Sequence, residues 1–206
     1  MEREAAFHEV RDSQVTFRAL LDVMSRPGTV RPLPGCDYRL APRGFCSPAL
    51  TILKTLCDHR VSFSVGSERR EAQVVRYLSI NLAAPYRPVP EADYVLFDGA
   101  SFDEDYRRLN AGSAEFPERS ATALLCVSGL VEGEPPDREE RPSCTLALAG
   151  PGVPDRAVLS ISGLDPRYGE ERRGAHRRYP LGVDLLFVDR VGNVAGIPRS
   201  SRVETI

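Results

Sequence analysis

Lysine is nearly absent from this chain. Lys54 is the only lysine among 27 basic residues, so the other 26 are arginines. The sequence therefore contains no G-K-[ST] phosphate-binding loop, and any Schiff base would have to form on Lys54. Because Lys54 falls in the middle of a predicted helix, we expect it to be an ordinary solvated side chain.

Cysteine and histidine are also scarce, and their spacing fits no metal site. The five cysteines are Cys36, Cys46, Cys57, Cys126 and Cys144. Their number is odd and no C-x-x-C pair occurs, so the sequence predicts reduced thiols and neither a structural zinc site nor an iron–sulfur cluster. The three histidines lie far apart in the sequence. We therefore expect no metal.

Long apolar runs and a strong net charge are missing as well. No stretch reaches the ~18 apolar residues of a membrane-spanning helix, and the N-terminal MEREAAFHEVRD lacks the apolar middle of a signal peptide. The net charge of −2 gives no overall attraction to nucleic acid or to an anionic membrane. These absences predict a cytoplasmic protein, and its 206 residues are enough for one large domain, 1–206.

Three common signatures of catalytic or cofactor sites do not occur. The sequence has no G-x-S-x-G elbow, no G-x-G-x-x-G loop and no H-E-x-x-H helix. No set of residues in the sequence identifies a nucleophile or a general base. The catalytic residues, if the chain has any, stay unassigned at this level.

The N-terminal segment, residues 1–28, is predicted to be an arm followed by a helix. Phe17, Leu20, Leu21 and Met24 recur at helical spacing and form one apolar stripe, which we expect to pack into the core. The helix should stop at Arg26-Pro27-Gly28, because the residue before a proline avoids the helical region and glycine commonly follows a helix.

The middle of the chain alternates between helix and strand patterns and then turns to strands alone. Predicted helices begin at Ser47-Pro48, at Ser67 and, as a short acidic helix, at Ser101. Predicted strands cover 61–65 (with one polar face), 92–97, 121–127, 143–149 and 157–161. The acidic segment 132–142 is expected to be an exposed loop. The arginine-rich segment 165–178 is expected to be a solvated connector, with binding of a phosphate or of an acidic partner as the alternative. This order predicts an α/β fold: a single domain with a central mixed sheet flanked by helices.

The C-terminal segment, residues 179–206, is predicted to be a strand hairpin and tail. Val183–Val188 is almost continuously apolar, which places it centrally in a sheet. Asp184 interrupts this run and needs a hydrogen-bonding partner if it is buried. A turn at Asp189–Asn193 and a second strand, Val194–Ile197, complete the hairpin.

Two short segments are compatible with anion binding. Pro198-Arg199-Ser200-Ser201 places a guanidinium and two hydroxyls directly after a strand. Gly150-Pro151-Gly152 can bring backbone amides close to an anion, although Pro151 removes one of them. Both patterns are equally typical of simpler structures, namely a strand exit with solvated side chains and a hairpin turn. The two interpretations stay open from the residues alone.

Three blocks of the sequence resemble one known family. They are F-x-x-V-x-D-S-Q-x-x-F-R-x-L-L-x-x-M-S-R-P-G at 7–28, L-A-L-A-G-P-G-V-P-D-R at 146–156, and Y-P-L-G-V-D-L-L-F to I-P-R-S-S-R-V-E at 179–204. In this order they resemble the PhnH family of the phosphonate carbon–phosphorus lyase system. The segment before Tyr179 departs from the family pattern, since it is rich in glycine and arginine.

The resemblance implies a fold and a role. The fold is expected to resemble the pyridoxal-phosphate-dependent transferases, without that cofactor, and to form a homodimer. The role is that of a subunit of the bacterial carbon–phosphorus lyase core complex, beside PhnG, PhnI and PhnJ. That system forms ribose 1-alkylphosphonate 5-triphosphate from ATP and a phosphonate before the carbon–phosphorus bond is broken. The chain would then belong to a transferase and lyase complex.

Under this resemblance, five residues are candidates for a surface that contacts ATP, a phosphonate or a partner subunit. They are Arg26, Gly150, Gly152, Arg199 and Ser200. Two other functions remain open. The chain could be a non-catalytic structural scaffold that binds no small ligand, or a stand-alone pyridoxal-phosphate enzyme that uses Lys54.

Overall fold

The computed structural model describes residues 7–35, 38–67, 72–134, 144–175 and 178–206. Its helices are α1 (Arg11–Ser25), α2 (Ser47–Leu56), α3 (Ala72–Asn81) and α4 (Pro166–Ala175). Its strands are β1 (Val30–Pro32), β2 (Phe63–Val65), β3 (Tyr94–Asp98), β4 (Thr122–Val127), β5 (Gly129–Glu132), β6 (Cys144–Gly150), β7 (Val153–Ser162), β8 (Asp184–Asp189), β9 (Asn193–Ile197) and β10 (Arg202–Thr205). Short 3-10 helices cover Val89–Glu91, Glu104–Arg108 and Pro117–Arg119. Most of the predicted acidic loop lies outside the described residues.

The predicted mixed sheet is present and has six strands in the order β1-β9-β8-β4-β3-β2. Strands β2, β3, β4 and β8 are parallel, and β9 runs antiparallel to its two neighbours. β8 is bonded to β4 and β9 and is buried from its second residue onward. The prediction that the apolar run at Val183–Val188 lies centrally in a sheet is therefore confirmed.

A second sheet was not anticipated from the sequence. It has four antiparallel strands in the order β10-β6-β7-β5. One core cluster lies between α1, α2, α3 and one face of the mixed sheet, and the other lies between the opposite face and the second sheet. The expectation that helices flank the mixed sheet is thus right for one face only, because the late strands pair with one another and cover the other face.

The predicted apolar stripe of α1 is buried in part. Leu20 is 4% exposed, whereas Phe17 and Leu21 are 47% and 54% exposed. The helix instead buries the line Asp12, Thr16, Leu20 and Val23. At ~100° per residue, Phe17 and Leu21 lie a quarter turn or more around the helix from Thr16, beyond the side that α2, β1 and β9 contact.

Two smaller predictions in the middle of the chain are wrong. Ser64 is 1% exposed, so the expected polar face of 61–65 is buried. The segment at Asp103 covers the end of this strand and accepts a hydrogen bond from the Ser67 hydroxyl at 2.7 Å. Asp103, not Ser101, also caps the short acidic helix, because its carboxylate accepts from the Asp105 backbone N–H at 2.9 Å.

The arginine-rich segment is a helix with a buried side, not a solvated connector. α4 contacts β10 and β6 of the second sheet. It buries Tyr168 and Arg172, each 1% exposed. These two residues are four apart and therefore share one helical face.

Candidate functional site

The two glycine positions of the predicted site bring three chain segments together. Gly150 and Gly152 flank the β6–β7 turn with φ of 133° and 80°. A Cβ on Gly150 would lie 3.2 Å from the Ser200 carbonyl oxygen, and one on Gly152 would lie 2.0 Å from the Ser25 carbonyl oxygen. The turn therefore packs between the C-terminal turn at 198–201 and the end of α1, and at Gly152 only glycine leaves enough room.

A cavity of about 320 Å³ opens beside this turn. We call it the turn cavity, and its lining is Ala149, Gly150, Pro151, Tyr179, Ser200 and Arg202. Among these described residues there is one guanidinium, two hydroxyls and no carboxylate. A positive site with hydroxyl donors suits a phosphate or phosphonate oxygen. The volume lies at the lower end of the range of small-molecule sites, roughly 300–1,000 Å³.

Arg199 does not line the turn cavity. Its guanidinium donates to the Pro117 carbonyl oxygen at 2.5 Å and to the Ser120 hydroxyl. Its backbone N–H donates to the Asp184 carboxylate at 2.7 Å. The prediction that Asp184 needs a partner is thereby confirmed, and Arg199 joins the C-terminal turn to the segment that precedes β4.

Arg26 lies at the end of α1 in a charge network. Its guanidinium pairs with the Asp22 carboxylate, which also accepts from Arg31 at 2.5 Å. Arg31 in turn lies 3.1 Å from the Glu132 carboxylate. Two guanidinium groups and two carboxylates balance one another here, and Arg26 does not line the turn cavity.

Arg172 holds the C-terminal turn in place through hydrogen bonds. This residue was not identified from the sequence. Its guanidinium donates to the Pro198 carbonyl oxygen at 2.6 Å and to the Ser201 carbonyl oxygen at 3.2 Å. Burial lowers the pKa of Arg172. Its Nε and the Ser201 hydroxyl are buried without a protein partner in the described part of the chain. The only signal in the sequence was the spacing, because Arg172 falls four residues after Tyr168 and would share a helical face with it.

A smaller cavity lies at the carboxyl ends of the parallel strands, where open α/β sheets place their ligands. Its volume is about 110 Å³. The ends of β3 and β4 contribute Asp98 and Val127, and Cys46, which precedes α2, and Arg190, which follows β8, complete the rim. This cavity is too small for a nucleoside triphosphate, and its lining includes an aspartate, Asp98, as well as the arginine.

Lys54 lies in a third cavity, of about 360 Å³. Its ammonium sits 5.5 Å from the centre of the Phe7 ring. Glu9, Cys57 and Asp58 share the cavity. Cys57 is also close to Tyr94, the first residue of β3. Lys54 is therefore at the amino ends of the parallel strands, the edge opposite to the usual cofactor site.

Two of the buried thiols, those of Cys57 and Cys144, are poor nucleophiles. Burial, with Asp93 and Asp58 adding to it, raises the pKa of Cys57 to about 12. Burial also raises the pKa of Cys144 to about 11. Since the thiolate is the reactive form, neither residue is activated near neutral pH.

Neither a metal-binding cluster nor a membrane-spanning helix is found among the described residues. No group of three or more His, Cys, Asp or Glu side chains is placed to hold a metal ion within the described ranges. In the same part of the chain, no helix combines the length and the apolar character needed to cross a membrane.

The chain is similar to known proteins over almost its whole length. The model of the family described as "Bacterial phosphonate metabolism protein (PhnH)" matches residues 5–204. The "Putative C-P lyase subunit protein HtxG" of Stutzerimonas stutzeri is 33% identical over 190 residues, covering 92% of this chain and 85% of that protein. The "Alpha-D-ribose 1-methylphosphonate 5-triphosphate synthase subunit PhnH" of Rhizobium meliloti (strain 1021) is 25% identical over 196 residues, 95% of this chain and 92% of that protein.

Proposed function

The chain belongs to the PhnH family of bacterial phosphonate metabolism proteins, and from this membership we propose that it is a subunit of the carbon–phosphorus lyase complex. The observation that carries the proposal is the family match across residues 5–204, which leaves almost no part of the chain outside it. The names of both relatives, a C-P lyase subunit and a ribose methylphosphonate triphosphate synthase subunit, support the same role.

Within that complex the chain supports the formation of ribose 1-alkylphosphonate 5-triphosphate from ATP and a phosphonate. It works in the cytoplasm as a homodimer or beside PhnG, PhnI and PhnJ, and its fold is related to that of the pyridoxal-phosphate transferases. The chain contributes binding and orientation, and another subunit completes the chemistry. The raised pKa values of Cys57 and Cys144 favour this division, because they leave these thiols unreactive.

The turn cavity is the part of the chain that holds the phosphonate or the triphosphate. The Arg202 guanidinium contacts two oxygens of the anion, and the hydroxyls of Ser200 and Tyr179 donate to the remaining oxygens. Gly150 keeps the turn close enough to Ser200 to close the cavity. Arg199 and Arg26 support the structure around the cavity. Arg199 anchors the C-terminal turn to Pro117, and Arg26 pairs with Asp22 at the end of α1.

Growth on methylphosphonate tests this function. A strain without the gene for this chain is expected not to grow with methylphosphonate as its only phosphorus source, and the wild-type gene restores growth. Arg202→Ala is expected to restore it poorly, whereas Arg156→Ala, an exposed arginine of β7 outside the cavity lining, restores it fully. Normal growth of the deletion strain would overturn the proposed function, and full rescue by Arg202→Ala would overturn the assigned cavity.

Calorimetry separates ligand binding from a scaffold role. ATP and methylphosphonate are titrated into the isolated chain and into the assembled complex. Loss of a charge-assisted hydrogen-bond donor, as in Arg202→Ala, is expected to raise the Kd by about tenfold or more. If neither ligand binds in either state while assembly still requires the chain, the chain is a structural scaffold.

The pyridoxal-phosphate alternative depends on Lys54 alone. Pyridoxal phosphate joined to the Lys54 amine as a Schiff base would have Glu9 and Asp58 as neighbours. These two carboxylates would repel the phosphate of the cofactor. Visible absorbance on addition of pyridoxal phosphate, abolished by Lys54→Ala, would establish this alternative. We expect no such absorbance change.

A further inference from the structure

The side chains of Ala149 and Arg202 lie next to each other in the wall of the turn cavity. Their strand neighbours Leu148 and Val203 belong to the core between the two sheets. Because side chains alternate along a strand, Ala149 and Arg202 point to the other face of the second sheet. The two residues are paired directly across β6 and β10, and side chains in such pairs have Cβ atoms about 5 Å apart. A ligand held by Arg202 therefore has the Ala149 methyl group as a direct neighbour.

The turn cavity offers one positive charge. Arg202 supplies its guanidinium, which forms no ion pair in the part of the chain that the structure describes. Arg199 and Arg26, by contrast, are bonded to other protein groups. One guanidinium binds two oxygens of a single phosphono group, and the Ser200 hydroxyl can donate to a third.

A triphosphate needs more than the turn cavity provides. Each of its three phosphorus groups carries negative charge, and triphosphate sites usually combine a lysine with Mg²⁺ held by a hydroxyl and a carboxylate. Lys54 lines a different cavity, and none of the described residues that line the turn cavity is an aspartate or a glutamate. The charge of this cavity therefore matches one phosphorus group and not three.

Apolar groups make up the rest of the lining. They are the Ala149 methyl group, the Pro151 ring and the ring of Tyr179, which is 57% exposed. Inorganic phosphate has no apolar part to place against them. An alkyl group bonded to phosphorus would leave water on contact with these surfaces, and the burial of apolar area is favourable.

We propose that the turn cavity binds a phosphono group that carries a small alkyl substituent, and that Ala149 sets the size of the substituent that fits. The inference rests on the proposed function and deepens it, since it chooses the phosphonate over the triphosphate as the ligand of this cavity. Arg202 and Ser200 hold the phosphorus oxygens. The substituent lies against Ala149, Pro151 and the Tyr179 ring.

Calorimetry with a series of simple anions tests the ligand. Inorganic phosphate, methylphosphonate, ethylphosphonate and tripolyphosphate, the last with and without Mg²⁺, are titrated into the isolated chain and into the assembled complex under identical conditions. Ethylphosphonate is expected to bind about threefold to fourfold more tightly than methylphosphonate, which is the gain for one buried methylene. Inorganic phosphate is expected to bind more weakly than both, and tripolyphosphate no more tightly than methylphosphonate.

Ala149→Leu tests the residue that sets the size. A leucine at this position fills the space beside the Arg202 side chain that the substituent would occupy. The variant is therefore expected to raise the Kd of ethylphosphonate by about tenfold or more and to change that of inorganic phosphate by less than about threefold. A general disturbance of the cavity would weaken both ligands equally. The matched control Ala72→Leu changes an exposed alanine of α3, which packs on the other face of the mixed sheet, and is expected to leave both Kd values unchanged.

Tyr179→Phe separates the hydroxyl from the ring. The variant keeps the apolar ring and loses one donor, so it is expected to weaken the binding of phosphate and of both phosphonates by the same factor. Tyr179→Ala also loses the ring and is expected to remove most of the difference between ethylphosphonate and inorganic phosphate. Tyr179 is exposed and Ala149 is partly exposed, so the melting temperatures should stay close to that of the wild type.

Each outcome decides one claim. Equal affinities for phosphate and the two phosphonates, tighter binding of tripolyphosphate, or equal losses of phosphate and ethylphosphonate binding in Ala149→Leu would overturn the inference. So would the absence of binding of every anion by both the chain and the complex. In these cases the proposed function stands as long as the deletion strain fails to grow on methylphosphonate. Growth of that strain would overturn the proposed function itself, whatever the cavity binds.

Discussion

At the scale of single residues, the most unusual feature is a buried cation that touches carbonyl groups and no carboxylate within hydrogen-bonding distance in the described part of the chain. Arg172 is 1% exposed and donates to Pro198 and Ser201. A buried charge is unfavourable unless it is well hydrogen-bonded. Its position is explained by the C-terminal turn, which carries Ser200 into the turn cavity and which Arg172 holds in place.

Replacement of Arg172 tests this positioning role. Arg172→Met removes the donor to the partly buried Pro198 carbonyl oxygen and to the buried Ser201 carbonyl oxygen, so it is expected to lower the free energy of unfolding by about 1–3 kcal/mol. The Ser201 amide, which donates to the Pro198 carbonyl oxygen at 2.9 Å, should also exchange hydrogen faster. Arg173→Met, at the exposed neighbouring position, is the control. Unchanged stability and exchange in Arg172→Met would contradict the role.

Asp165 gives a residue-scale prediction of pH dependence. Hydrogen bonds from the Arg167 guanidinium, and from the Arg167 and Phe102 amides, lower the pKa of Asp165 from 3.8 to about 2. A carboxylate with a lowered pKa stabilises the fold above the unfolded-state pKa, and this contribution is lost as pH falls from about 4 towards 2.

Urea unfolding at several pH values checks this prediction. Asp165→Asn is expected to flatten the decrease in unfolding free energy between about pH 4 and pH 2. Asp155→Asn changes an exposed carboxylate of β7 and is the control. The same slope in Asp165→Asn and in the wild type would contradict the assignment.

Residue chemistry was only partly predictable from the sequence. The need of Asp184 for a partner followed from an acid inside an apolar run, and the Arg199 amide meets it. The positions of Arg202 and Tyr179 beside the β6–β7 turn could not be predicted, because the pairing of Arg202 with Ala149 brings distant parts of the chain together. Arg199, which the sequence suggested for anion binding, does not line the turn cavity, because its guanidinium donates to the Pro117 carbonyl oxygen. The arginine that lines the cavity is Arg202.

At the scale of elements, the β6–β7 turn is held against α1 by a very close approach. Gly152→Ala would force a Cβ to within 2.0 Å of the Ser25 carbonyl oxygen at a φ of 80°. We expect it to lower the free energy of unfolding by about 2 kcal/mol or more, from both strain and displacement.

Comparison with Gly192→Ala separates backbone strain from steric displacement. Gly192 has a φ of 96° and no described atom within 4 Å of an added Cβ, so only the backbone strain of about 1–2 kcal/mol applies. Urea unfolding of both variants measures the difference. Equal effects would show that the approach of the turn to α1 contributes nothing.

Local elements were easier to predict than their pairing. The bounds of α1, α2 and the β8–β9 hairpin follow from periodicity and from proline and glycine, and the structure agrees within a few residues. The second sheet joins β10 to β6 across the intervening α4 and the hairpin, a non-local contact that no local pattern encodes. The exposure of Phe17 and Leu21 was not predicted for a related reason. Periodicity shows that a helix is amphipathic but not how much of its apolar side the core covers.

At the scale of the whole molecule, we propose that the chain is a component of a larger complex. The features that support this proposal are the turn cavity, the raised pKa values of the Cys57 and Cys144 thiols and the exposed apolar residues of α1. An enzyme that works alone needs reactive groups in its own site, whereas a subunit can leave them to a partner. The family match over residues 5–204 is consistent with that arrangement.

Reconstitution of the first reaction tests this account most directly. The other subunits are purified without this chain, and formation of ribose 1-methylphosphonate 5-triphosphate from ATP and methylphosphonate is followed by phosphorus NMR. We predict no product from these subunits alone, none from the isolated chain, and product when the two are mixed. Turnover by the isolated chain, or full activity of the complex without it, would contradict the account.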